Sequence, residues 1–98
     1  MEQKLLGFYH AIEESSRMML DAAKAEDWDG VVRYEGMCAV LIEQLRFHAR
    51  TEVLDATARV EKSHIMQRIL RNDAEIRYLA EPWLMHCEQK LQGRQLLH

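Results

Sequence analysis

The chain has 98 residues, 48% of them hydrophobic, so it is long enough for one small domain with a modest core and too short for two. Its 13 Lys and Arg residues against 16 Asp and Glu give a net charge of −3, which argues against nucleic-acid binding, because that affinity comes largely from clustered cations. No segment is apolar over the length of a signal peptide core or a membrane span, so we expect one cytoplasmic domain covering residues 1–98, with both cysteines reduced.

The first half of the chain predicts two antiparallel helices. From Gln3 to about Ala25, apolar and small residues recur at three- and four-residue steps and place one stripe on a helix: Leu5, Tyr9, Ile12, Ser16, Met19 and Ala23. The acidic segment 26–30 interrupts this pattern, and Asp27 is a good N-cap for a second helix that begins near Trp28. The stripe of that helix is Trp28, Val31, Glu35, Cys38, Ile42 and Leu45.

The second half predicts a third helix with a proline inside its pattern. We place the second connection near His48–Thr51, because the residues from Thr51 onward resemble a capping sequence. A third stripe then steps by four and three residues: Ile65, Ile69, Asn72, Ile76, Leu79, Trp83 and His86. Since its phase carries through Pro82, we favour a kinked continuation that ends at Gly93, with a separate fourth helix from Pro82 as the alternative. The predicted fold is an all-α antiparallel bundle of three to four helices, with the last helix kinked or broken at Pro82.

Several blocks of sequence, read in order, resemble the FliT family of flagellar export chaperones. They are Trp28-Asp29, Glu35 and the segment 41–45 in the second helix, followed by the segment 69–79 and Pro82 in the third. The resemblance implies a non-enzymatic helical bundle in the cytosol, which binds the flagellar filament-cap protein and masks its terminal segment before type III export. It also implies contact with the export ATPase complex and, in some bacteria, with the master transcriptional activator of the flagellar genes.

Masking of this kind uses an amphipathic client helix that lies against an apolar strip, and the third helix supplies the candidates. The candidate partner-binding residues are Ile65, Ile69, Asn72, Asp73, Ile76, Arg77, Leu79 and Trp83. The alternative for the aliphatic members is plain core, and for Asp73 and Arg77 it is a solvated ion pair. Residues off the stripe or at its edge would form the exposed strip: Met66, Leu70, Tyr78 and Trp83. Self-association through this helix is a further alternative.

Two polar residues stand at stripe positions where leucine would be expected. These are Glu35 in the second helix and Asn72 in the third. A buried acid or amide is costly unless it is hydrogen-bonded, so we predict either a contact between the two or partial exposure.

We predict no catalytic residue, no metal ligand and no cofactor. Glu61 and His64 have the Glu-x-x-His step of di-iron bundles, but a bridged site needs two such motifs, and we expect His10 and His64 at helix margins or on the surface. Helical enzymes of the chorismate mutase type carry inward arginines, whereas the following arginines of this chain fall off the apolar stripes: Arg17, Arg33, Arg46, Arg68 and Arg71. The main alternative function is that of a small helical regulator that binds a transcription factor.

Overall fold

Three helices and two short connections make up the fold. The computed structural model describes the backbone of residues 4–96 and the side chains of residues 4–92. The helices are α1 (Lys4–Lys24), α2 (Trp28–Ala49) and α3 (Ala56–Leu96). The all-α prediction is confirmed, and the first connection lies where the sequence predicted it, whereas the second, at residues 50–55, only overlaps the predicted position. None of the helices within the described residues is long and apolar enough to cross a membrane.

The α1–α2 turn is a helix C-cap followed at once by a helix N-cap. The amide of Glu26 donates to the Ala23 carbonyl at 3.1 Å, and the amide of Asp27 donates to the Ala22 carbonyl at 2.9 Å. These two bonds form a Schellman motif, in which Glu26 takes the left-handed position with φ of 59°. The Asp27 carboxylate then accepts from the Gly30 amide at 3.0 Å, as predicted for the N-cap of α2.

The α2–α3 connection corrects one detail of the prediction. The α3 helix begins at Ala56, because the carboxylate of Asp55 accepts from the Ala58 amide at 2.8 Å and caps its first turn. The capping sequence at Thr51 does not start a helix. Its acid, Glu52, instead accepts from the Leu5 amide at 3.1 Å and so satisfies a free amide at the start of α1.

The α3 helix runs without a break through Pro82 and Gly93. The alternative of a fourth helix and the predicted end at Gly93 are therefore both wrong. Proline removes one backbone donor and its ring crowds the carbonyl of the preceding turn, at a cost of about 3 kcal/mol, and one glycine in a helix costs about 1 kcal/mol; neither residue has to end a helix of this length. At a rise of about 1.5 Å per residue α3 is about 61 Å long. This matches the longest dimension of the molecule, 61 Å, so the end of α3 projects past the two shorter helices.

The α1 helix is the centre of the molecule. It packs against both α2 and α3, whereas the Cα atoms of α2 and α3 stay more than 8 Å apart throughout the described residues. The predicted α1 stripe is confirmed: Leu5, Ile12, Ser16 and Ala23 are buried, and Tyr9 and Met19 are half-buried. Two core clusters lie along α1, one around Leu5, Leu54 and Ala58, the other around Leu20, Ala23 and Ile76.

Candidate functional site: the α2–α3 groove

An apolar groove runs between α2 and α3, with α1 as its floor. Its volume is about 650 Å³. The lining residues on α1 and α2 are Ile12, Ser16, Met19, Trp28, Val31, Val32, Glu35, Cys38, Ala39 and Ile42. Those on α3 are Ile69, Leu70, Asp73, Ile76, Arg77, Ala80, Trp83 and Leu84. We call this surface the α2–α3 groove; it exists because α2 and α3 each pack on α1 while their own backbones stay more than 8 Å apart at every pair of described Cα atoms.

Adjacent serines of α1 hold the two walls of the groove at the same level. The Ser15 hydroxyl donates to the Tyr34 carbonyl of α2 at 3.4 Å. The Asn72 amide of α3 donates to the Ser16 hydroxyl at 3.0 Å, and that hydroxyl donates to the Glu13 carbonyl at 2.8 Å. Both serines are buried and their hydroxyls are satisfied, so they fix the register of α2 and α3 without a polar penalty.

One end of the groove is bridged by two tryptophans. The rings of Trp28 and Trp83 are stacked, with centroids 5.6 Å apart and an interplanar angle of 15°. No other aromatic stack within the described side chains joins α2 to α3. The pair lies beside Pro82 and joins the C-terminal half of α3 to the start of α2.

The structure separates the eight residues that we predicted as partner contacts into two groups. Five of them line the groove: Ile69, Asp73, Ile76, Arg77 and Trp83. The other three are not part of its lining. Ile65 is fully buried, Leu79 packs against the core cluster around Leu20, and Asn72 is bonded to Ser16. As direct contacts of a partner, all eight stay predictions.

The wall contributed by α2 was not predicted as a binding surface, because every predicted contact lay on α3. One signal for it was present. Glu35 stands in the apolar stripe of α2, and the structure leaves its side chain exposed beside the groove, as the alternative of partial exposure predicted. A carboxylate in the middle of an apolar stripe indicates that the stripe is not fully covered.

A second cavity, of about 550 Å³, lies between α1 and α3 and is polar. Two of its three arginines are engaged: Arg68 donates to both carboxylate oxygens of Glu13 at 2.5 and 3.2 Å, and Arg17 pairs with Glu14 and Asp21. The hydrogen bond to Glu13 raises the pKa of Arg68, and the hydrogen bond from Arg17 lowers the pKa of Glu14. The ion pair of Arg68 with Glu13 links α3 to α1 at the solvent-exposed surface.

The predicted surface histidines are both exposed. His10 bonds to Glu61 at 2.8 Å, which adds a further link between α1 and α3. His64 lies on α3 four residues before Arg68, outside the lining of the polar cavity. Among the described residues, no three His, Cys, Asp or Glu side chains are grouped so that they could hold a metal ion.

Comparison with known proteins assigns the chain to a family. A family model described as flagellar protein FliT matches residues 7–95. The crystal structure of flagellar protein FliT from Bordetella bronchiseptica aligns with a TM-score of 0.75 at 36% sequence identity, over 87% of this chain and 96% of that chain. Among curated proteins, none matches the chain. The chain therefore belongs to the FliT family of flagellar chaperones.

Proposed function

We propose that this protein acts in the cytoplasm as the export chaperone of the flagellar filament-cap protein and holds a terminal helix of that client in the α2–α3 groove. The groove itself is the observation that carries the proposal. It is long, open and lined mainly by apolar side chains, and an apolar surface of this kind on a small protein marks an interaction site. Masking needs only a covered helix face, so no catalytic group takes part.

The exposed side chains of the groove give the client its binding energy. Val32, Leu70 and Leu84 line the groove and are 60%, 61% and 52% exposed in the free protein. A client helix that covers them removes apolar surface from water, which is favourable by about 25 cal/mol per Å². The buried members of the lining, such as Ile76, lose little further surface on binding.

Two valines of α2 provide a matched test of the proposed site. Val32 lines the groove, whereas Val40 lies outside it, and the two are 60% and 59% exposed. We expect Val32→Asp to weaken binding of the filament-cap protein at least tenfold, because the client would bury an unpaired carboxylate. Titration calorimetry with the purified cap protein measures this directly.

Val40→Asp is the control, since it makes the same change at the same exposure on the same helix. It should bind the cap protein like the unaltered chain, and circular dichroism should show equal helicity for both variants. Failure of the unaltered chain to bind the cap protein at micromolar concentration, or equal losses in the two variants, would refute the proposal. Binding of a flagellar transcriptional activator in place of the cap protein would favour the regulator alternative.

A further inference from the structure

The length and the charged residues of the α2–α3 groove indicate which kind of helix it can bind. We propose that its occupant is an amphipathic partner helix of about four turns with one lysine or arginine at the centre of its apolar face, and that Glu35 recognises this cation. The inference rests on the proposed function and defines the chemistry of the client segment.

The walls of the groove set the length of the occupant. On α2 the lining extends from Trp28 to Ile42, and on α3 it extends from Ile69 to Leu84. At about 1.5 Å per residue these walls are about 21 and 22 Å long. A helix of about 15 residues, which is about four turns, spans the same distance.

Charged side chains interrupt the apolar lining at its middle. They are Glu35 on α2 and Asp73 and Arg77 on α3. Glu35 follows Tyr34 and Asp73 follows Asn72, and the two adjacent serines of α1 hold Tyr34 and Asn72 at one level. The two carboxylates therefore lie on opposite walls at about the same height.

The groove has one negative charge more than it can pair by itself. Arg77 donates to Asp73 at 3.0 Å, whereas Glu35 has no hydrogen bond or ion pair with any described side chain. An occupant that covers the groove removes water from both carboxylates, and burial of an unpaired carboxylate is costly. An all-apolar helix face leaves that charge uncompensated. One cation on the occupant can pair with Glu35 while Arg77 stays paired with Asp73, so that both carboxylates of the groove are neutralised.

Synthetic helices with one changed position test this charge complementarity. The reference peptide has about 15 residues, with leucine at its first, fourth, eleventh and fifteenth positions and lysine at the eighth, and its twin has glutamine at the eighth. We expect the lysine peptide to bind the unaltered protein about tenfold more tightly, equivalent to about 1.4 kcal/mol. In Glu35→Gln the two affinities should differ less than twofold, and Glu35→Lys should prefer a peptide with glutamate at the eighth position. Tryptophan fluorescence follows binding, because Trp28 and Trp83 line the groove.

The control variant is Glu43→Gln, an equivalent charge change on the exposed surface of α2 outside the groove lining. It should keep the preference for lysine. Equal affinity of both peptides for the unaltered protein, or an unchanged preference in Glu35→Gln, would overturn the inference and leave the chaperone function standing. If no peptide binds although the cap protein does, the inference fails, because the groove does not take a helix of this pattern. If the cap protein itself does not bind, the proposed function fails with it.

Discussion

At the residue scale, two buried hydroxyls of α1 fix the positions of α2 and α3 along it, which apolar contacts alone do not. Ser15 and Ser16 occupy the centre of the α1 face, and each forms a bond with a different neighbouring helix. An apolar pair in the same place would pack but would allow α2 and α3 to slide along α1. A hydrogen bond between fixed partners specifies one register, and here the register aligns the two walls of the groove.

The left-handed residue of the α1–α2 turn yields a prediction about stability. Glu26 has a φ of 59°, in a conformation that a side chain with a Cβ atom disfavours and that glycine adopts readily. Glu26 is also exposed, so its side chain adds little packing. We expect Glu26→Gly to raise the free energy of unfolding by about 0.5–1 kcal/mol, measured by urea denaturation. Glu26→Ala retains the Cβ atom and should give no such gain; equal stabilisation by both changes would contradict the role of the backbone conformation.

Residue types along the chain were enough to predict the caps and the stripes but not every role within them. Asp27 is identifiable as an N-cap because a short acid precedes an apolar pattern. Glu52 caps α1 across 47 residues of sequence, and no local pattern can indicate a contact of that range. Asn72 was recognised as anomalous, but the predicted contact with Glu35 does not form, because Asn72 donates to Ser16 of α1 instead.

At the element scale, one wall of the groove depends on α3 continuing as a helix through Pro82. Pro82 cannot donate to the Tyr78 carbonyl, which weakens α3 locally at the level where it passes the start of α2. The stack of Trp83 on Trp28 lies one residue beyond this point and supplies a contact between helices where the helix itself lacks a bond. We infer that the stack stabilises the C-terminal half of α3 against α2.

Removal of one ring tests this role of the stack. Trp83→Ala should lower the free energy of unfolding by about 0.5–1.5 kcal/mol beyond the loss of apolar area and should abolish the near-ultraviolet circular dichroism of the coupled indoles. Trp83→Phe retains an aromatic ring over Trp28 and should recover most of the stability without the indole signal. If the alanine and phenylalanine variants unfold at the same urea concentration, the stack contributes nothing to the position of α3.

On the scale of the whole molecule, the packing of two helices on one central helix explains why a groove exists at all. The sequence predicted three amphipathic helices, and three such helices can also close into a bundle in which every pair packs together. Apolar stripes do not distinguish these arrangements, because a residue that faces a neighbouring helix and a residue that faces an open groove have the same type. The open arrangement leaves the stripe of α2 only partly covered, with Ile42 still 37% exposed.

The central position of α1 predicts that the domain unfolds as one unit. Leu20 is 6% exposed, and its cluster joins α1 to residues of both neighbours, including Trp28 on α2 and Ile76 on α3. Leu20→Ala should therefore lower the free energy of unfolding by about 2–5 kcal/mol, because it leaves a cavity at a site shared by all three helices. Urea unfolding can be followed by far-ultraviolet circular dichroism, which reports all helices, and by tryptophan fluorescence, which reports Trp28 and Trp83. The two transitions should coincide before and after the change.

Met18→Ala, at an exposed position of the same helix, is the control and should change the free energy of unfolding seen by either probe by no more than about 0.5 kcal/mol. Separate transitions for the two probes would mean that α2 or α3 can leave α1 independently, in which case α1 does not hold the walls of the groove together.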